Sequence, residues 1–315
     1  MSRHTVRAPR PEDAPAIAAL LVACDIAEHG ASDSTETDVR AIWSWPRFDR
    51  EQDAWVAVTP EGGIVGYGWV WCRRSCPLLD AGFYTRPGPE TATIGSDLLP
   101  RLEDRACALA AAFPGEAAAL GLPCARPNRA KRDLLETRGY MQVRTFFRME
   151  RSLEGAIPPP AWPPDFEVAP VRRPDDDDDV HATLQDAFSE HYRYVPEPLA
   201  DWIVRAFGRE DFAPELSRIV RRGGEAVAAV TNYVTGHEGY VGMVGVRRAW
   251  RRHGLATALL LESFRAFQTR GLANAGLGVD SENQDNATRL YERQGMRVTQ
   301  THDLFEKRLG SRPGA

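Results

Sequence analysis

The chain's densest chemistry lies between Tyr240 and Leu261. An apolar run (Tyr240, Val241, Met243, Val244, Gly245, Val246) leads into a basic segment (Arg247, Arg248, Arg251, Arg252, His253, Gly254), and an apolar-periodic run opens at Leu255, Ala256 and Thr257. A strand that stops in a glycine-punctuated basic loop and restarts as a helix turns unpaired backbone N–H groups and the positive helix end toward one point. Such a cradle suits a pyrophosphate. The alternative is a solvated basic turn between two core elements. Further on come an apolar strand from Ala275 to Val279, then Asp280, Asn283 and a short helical run with Tyr291 and a terminating Gly295.

The elements that must position these residues are written twice. Between Ser152 and Asp165 lie Pro158, Pro159, Pro160, Pro163 and Pro164, which neither a helix nor a central strand accommodates. Residues 152–165 therefore read as a stiff extended linker between a first domain, 1–151, and a second, 166–315. Val6–Ala8, Pro11 and an acidic turn before an apolar helix to Ala27 parallel Val168–Val171, Pro174 and a helix to Phe188. The run Asp175–Asp179 reads as a solvated, dipole-favoured helix start. Each half continues with a second helical region and a strand hairpin. Leu134, Leu135 and Gly139 echo Leu290, Tyr291 and Gly295, and the alternating strands Val143–Met149 and Leu304–Leu309 are expected to close the first and second sheets.

Arg251, Gly254 and Ala256 resemble the Arg/Gln-x-x-Gly-x-Gly/Ala loop of the GNAT N-acetyltransferase superfamily. The strand followed by Asn283, Ala287, Leu290, Tyr291, Glu292 and Gly295 resembles that family's second signature, with Asn283 to Ala287 one residue longer than the commonest spacing. The resemblance covers nearly the whole chain and extends to tandem acetyltransferases of the mycothiol synthase kind. It implies an α/β fold, specifically an α+β mixed sheet in each of two tandem acyl-CoA N-acyltransferase domains. It also implies acetyl-CoA as co-substrate, held by Val244, Gly245, Val246, Arg251, Arg252, His253, Gly254, Leu255, Ala256, Thr257 and Asn283. A backbone N–H of Val244 or Val246 would polarise the thioester carbonyl. Tyr291 would protonate the leaving thiolate, its alternative being an aromatic on a core-facing helix. The proton of an attacking amine would pass to Glu238, two residues before Tyr240, to Asp280, or to a water chain. In this fold the segment after the first helix lines the acceptor groove, so His191, Tyr192, Arg193 and Tyr194 would face Tyr240 around a small polar amine, the alternatives being a non-enzymatic acyl-CoA-binding or sensing protein and a protein-lysine acetyltransferase.

Aligned on a helix starting near Ile94, the first copy's loop would run from Glu90 to Gly95. Glu90 then replaces the cradle's cation and Thr93 its glycine, while Leu135 stands at the tyrosine position. This half is either structural or the holder of an unreacted acyl-CoA, with Asn128, Arg126, Arg129, Lys131 and Arg132 as possible phosphate contacts.

The 315 residues, 43% hydrophobic and 26% charged, suffice for two cores. A net charge of −5 and a pI near 5.9 argue against a general nucleic-acid binder. No stretch reaches the apolar length of a membrane span, and Met1–Glu12 carries no signal-peptide core, so a cytoplasmic monomer or homodimer is expected. The five cysteines suggest no disulfide framework. Cys72 and Cys76 lack a second pair at zinc spacing, so no metal is expected. Gly66 and Gly68 form only a lone Gly-x-Gly within a strand, and no Gly-x-Ser-x-Gly elbow occurs.

Overall fold

The computed structural model describes residues 4–32, 34–73, 78–114, 116–283 and 287–309. The chain divides into two units: Met1–Phe146 with Thr301–Ala315, and Phe147–Gln300. The first contains β1 (Thr5–Arg7), α1 (Ala14–His29), α2 (Glu36–Trp43), α3 (Arg50–Asp53), β2 (Ala54–Val58), β3 (Ile64–Cys72), β4 (Leu78–Thr85), α4 (Thr91–Ala110), β5 (Ala119–Ala125), α5 (Arg129–Thr137) and the start of β6 (Met141–Ser152). The second contains the remainder of β6, β7 (Glu167–Pro170), α6 (Asp177–Phe188), α7 (Leu199–Trp202), β8 (Arg218–Arg222), β9 (Glu225–Thr235), β10 (Glu238–Val246), α8 (Leu255–Thr269), β11 (Asn274–Asp280), α9 (Ala287–Arg293) and the start of β12 (Arg297–Arg308).

In the first unit the strand order is β1-β2-β3-β4-β5 followed by the Thr301–Arg308 part of β12, which pairs antiparallel to β5 from His302↔Ala125 to Arg308↔Ala119. In the second, the order is the Phe147–Ser152 part of β6, then β11-β10-β9-β8-β7. Both sheets are mixed: β4 and β10 each run antiparallel to the preceding strand and parallel to the next. Each thus takes its last strand from the opposite half of the sequence, which corrects the expected closures by Val143–Met149 and Leu304–Leu309. Alternation specifies which face of a strand is buried, and says nothing of which edge it will join.

These units differ from the halves 1–151 and 166–315 by the exchanged strands, and the segment 152–165 falls within the second unit. Leu153 and Ile157 are buried in the second unit's core with Trp162 and Phe166 packed against it. Gln268 on α8 donates to the Leu153 carbonyl at 2.5 Å, and Arg265 to that of Ile157 at 3.0 Å. Backbone carbonyls beside a proline run can be held by side-chain donors even where no ladder forms.

On α8, Leu255, Ala258, Leu259, Phe264 and Phe267 recur at helical spacing and are buried against β10 and β11. Burying each large side chain contributes roughly 1.5–3 kcal/mol. Gly239 is required beneath this helix, since a Cβ there would lie 2.3 Å from the Phe267 ring. On the other face of the sheet α6 approaches β10 as closely: a Cβ on Gly245 would lie 2.7 Å from Ala187 and 2.9 Å from Leu184.

Candidate functional site

The site of the second unit begins where β10 parts from β11. Their parallel pairing runs from Glu238↔Asn274 to Val241↔Leu277 and ends, whereas pairing with β9 continues to Val246↔Ala228, with a bulge between Val241 and Met243. The Met243 N–H donates to Thr231 Oγ1 at 3.1 Å and the Arg247 N–H to the Val227 carbonyl at 2.9 Å, so both point to the β9 side. Successive amides of a strand alternate between its edges. Val244 and Val246 therefore direct their N–H and C=O groups to the edge that β11 has left. Their side chains pack on the α8 core, and Gly245 faces α6.

Beyond β10 the chain makes a 3₁₀ turn at Arg248–Trp250 and enters α8 through Arg252 (φ 68°) and Gly254 (φ 80°). No side chain caps α8, which leaves the amides of Leu255, Ala256 and Thr257 as its uncapped positive end. A side chain on Gly254 would meet open space but a strained backbone. Arg251, expected in the cradle, is turned instead onto α6: it donates to the Ala187 carbonyl at 3.1 Å and pairs with Glu190 at 3.1 Å. With the Arg248 N–H on Asp186 (3.0 Å), it braces the loop. Arg252 is exposed, and the His253 ring folds back on the carbonyls of Trp250 and Arg251.

Tyr291 lies on α9 with its side chain in the α8 core, 8% exposed. Burial, with a smaller contribution from Tyr240, pushes its phenol up to about 12. The Tyr240 ring lies 4.8 Å below the Arg148 guanidinium, and its hydroxyl sits over Gly278, where a Cβ would be 3.3 Å away. Arg148, from β6, also grips Glu238: Nη2 is 2.7 Å from each carboxylate oxygen. Sequence reasoning missed Arg148 because its strand was expected in the other sheet.

The two carboxylates expected as bases each have a hydrogen-bond partner. Glu238 cannot take a proton without loosening Arg148. Asp280 accepts the Glu282 N–H at 2.9 Å, shaping the turn after β11. Asn283, expected at the acyl-CoA, spans that turn and caps α9: its Nδ2 donates to the Asp280 carbonyl (2.6 Å) and its Oδ1 accepts the Ala287 N–H (2.7 Å).

Of the expected acceptor wall, the His191 ring packs against Phe188 at a tilt, with centroids 4.4 Å apart, and Phe188 in turn reaches the Gly245 face of β10. Tyr194 turns back, donating to Gln185 Oε1 at 2.8 Å, and burial followed by Asp186 raises its phenol pKa. Tyr192 and Arg193 are half-buried, the latter at φ 57°.

The first unit repeats this frame with different residues. Gly139 and Tyr140 donate to Glu136 and Leu135 as Gly295 and Met296 donate to Glu292 and Tyr291, which makes Leu135 the counterpart of Tyr291. The helix α4 starts at Thr91, three residues before the expected start near Ile94, and Thr91 Oγ1 donates to the carbonyls of Arg86 and Gly88. Glu90 is therefore the counterpart of Gly254, not of Arg251. Of the cations expected to reach CoA phosphates, Arg126 and Arg132 bind Asp303, at 2.8 and 2.5 Å, Lys131 is buried and Arg129 is exposed. Cys76 lies outside the described residues, and among those described no cluster of three metal-binding side chains occurs. No helix among them is long and apolar enough to cross a membrane.

A profile of the Acetyltransferase (GNAT) family matches residues 178–296, within the second unit. A GCN5-related N-acetyltransferase from Sphaerobacter thermophilus superposes with a TM-score of 0.82 and 30% identity, covering 100% of this chain and 98% of that one. A tandem GNAT protein from the clavulanic acid biosynthesis pathway shares the fold over 99% of this chain and 100% of its own, with a TM-score of 0.69 at 15% identity. A mycothiol acetyltransferase of Streptomyces bingchenggensis is 32% identical over 184 residues, 56% of this chain. The chain spans 59% of that curated relative's length.

Proposed function

The chain belongs to the GNAT family of acyltransferases, and from that premise we propose that it transfers the acetyl group of acetyl-CoA to the amine of a small polar molecule, at the opened edge of β10. The observation that carries this reading is the alternation fixed by Met243 and Arg247. It sets the amides of Val244 and Val246 on an edge without a strand, beside the uncapped start of α8. An extended ligand with amide groups can pair along such an edge as an added strand would. Its pyrophosphate then meets the amides of Leu255, Ala256 and Thr257, with Arg252 and His253 at the rim.

In the reaction the amine nitrogen attacks the thioester carbonyl carbon, the C–S bond breaks, and the amide and free thiol leave. Charge building on the carbonyl oxygen is met by the Val244 or Val246 N–H. Tyr291 keeps its proton across the neutral range and acts as a hydrogen-bond donor to the departing sulfur. At about 12 it is a weak acid, so it steadies the thiolate and the thiol proton comes finally from solvent. The amine's proton passes to water. Glu238, gripped by Arg148, shapes the face on which the amine rests, with Tyr240, His191, Tyr192 and Tyr194 nearby as its polar and aromatic contacts.

An acceptor such as an aminosugar conjugate, an amino acid or a natural-product intermediate fits a few placed polar groups. That a 32% identical relative is a mycothiol acetyltransferase supports a small molecule over a protein. The first unit, with Leu135 and Glu90, performs no transfer.

Thiol release over a panel of amines tests the reading. Wild type turns over at least one small amine, and Gly254→Asp neither turns over nor binds CoA by calorimetry, since a carboxylate then stands where the pyrophosphate belongs. Wild-type affinity in Gly254→Asp would contradict the placement.

A further inference from the structure

The first unit has its own opened edge. Parallel pairing of β4 with β5 ends at Asp80↔Gly121, while pairing with β3 continues to Thr85↔Gly66. The Arg86 N–H donates to the Val65 carbonyl on β3 at 2.8 Å, as Arg247 does to Val227 in the second unit. By the same alternation, Phe83 and Thr85 present their backbone groups to the edge that β5 has left, and they correspond to Val244 and Val246.

Both of those carbonyls are taken by side chains. Lys131 Nζ donates to the Phe83 carbonyl at 2.6 Å, and Cys24 Sγ to the Thr85 carbonyl at 3.2 Å. Lys131 on α5 corresponds to Ala287 on α9. Each lies four residues before the Leu135 or Tyr291 counterpart, and each donates its backbone N–H to a preceding asparagine, Asn128 at 2.9 Å and Asn283 at 2.7 Å. A lysine from that position spans the gap to β4, and an alanine methyl falls far short. Among the described residues no side chain donates to the carbonyls of Val244 or Val246.

The lysine is a specific choice. It is one of only two in a chain with 39 basic residues, the other being Lys307. Its ammonium lies 5.2 and 5.3 Å from the ring centroids of Phe83 and Tyr84, which with the carbonyl offset part of the cost of burying a charge. A planar guanidinium with five donors would leave several unsatisfied in so narrow a slot. Burial pushes the Lys131 pKa down, and Cys124, Glu28 and Cys24 act against that shift.

We propose that Lys131 and Cys24 seal the opened edge of β4, so that the first unit takes no acyl-CoA and each chain binds a single one, along β10. The proposal rests on the reading that the β10 edge receives acyl-CoA.

Two measurements test it. The first is native mass spectrometry with CoA, on wild type and on Gly254→Asp. One CoA per chain in wild type and none in the variant is the expected result. Two in wild type, with one lost in Gly254→Asp, would overturn the seal and leave the β10 reading intact. One that persists in Gly254→Asp would place the ligand in the first unit and overturn both. None in wild type would remove the β10 reading and the single-ligand count with it. The second measurement needs no ligand. An amine-reactive acetyl ester on the folded chain should modify Lys307 and spare Lys131, with Lys131 reacting only after denaturation. Equal labelling of the two lysines in the folded chain would mean that the edge is open.

Discussion

Arg148 Nη2 stands 2.7 Å from both carboxylate oxygens of Glu238, directly over Gly276, where a Cβ would come within 2.3 Å of the carboxylate and 2.8 Å of the guanidinium. Both side chains are largely shielded, so removing either breaks a shielded ion pair, while the Arg148 guanidinium keeps Glu150 at 3.1 Å. Glu238→Gln or Arg148→Met alone should cost about 3 kcal/mol of stability, and the double variant should recover much of it. In the folded fraction, kcat should change less than tenfold. Urea unfolding across the double-mutant cycle reads the coupling. A 10²-fold fall in kcat for Glu238→Gln at unchanged stability would instead make Glu238 the base.

The acceptor contacts make a separable prediction. His191→Ala removes the ring that packs against Phe188, which itself reaches β10 at Gly245. It should raise KM for the amine by about tenfold, or about 1.4 kcal/mol, with KM for acetyl-CoA unchanged. Initial rates with each substrate varied in turn decide it. An equal rise in both constants would return His191 to packing.

The strand, turn and helix that frame this candidate site were legible in the sequence, and the reasons are local. Gly254 occupies a left-handed helix entry that disfavours other residues, and the apolar periodicity of α8 is unbroken from Leu255 to Phe267. Leu135 and Tyr291 aligned because each sits before a glycine-terminated turn. What could not be read was where segments meet across long separations. The alternation in Val143–Met149 and Leu304–Leu309 hid their destinations, and with them Arg148. Arg251 carries the right charge for a phosphate and is spent on the end of α6. The acidic run Asp175–Asp179 read as solvated, yet Asp176 and Asp177 are buried against Arg221 and Arg173. Asn283 matched a signature, and its actual partner is the N–H of Ala287.

Asp303 gives the fold a pH signature. Burial pushes its pKa up, but hydrogen bonds from Arg126, Thr145 and Arg132 together outweigh that and hold it at about 2. A depressed carboxylate contributes stability that is complete above its unfolded pKa, near 3.9, and lost as pH falls through about 2. The contribution is about 2 kcal/mol. Urea midpoints of wild type and Asp303→Asn should therefore differ most above pH 5 and converge between pH 4 and 2. A gap independent of pH would show that the arginines hold the carboxylate no better than an amide.

The central claim is that acyl transfer occurs on the second unit, with Tyr291 donating a hydrogen bond to the departing sulfur. Single-turnover thiol release by Tyr291→Phe, at saturating acetyl-CoA and amine, tests it most directly. A rate roughly 10²-fold below wild type, with acetyl-CoA affinity unchanged, is the expected result. A wild-type rate would contradict it and leave Tyr291 as a packing residue of the α8 core.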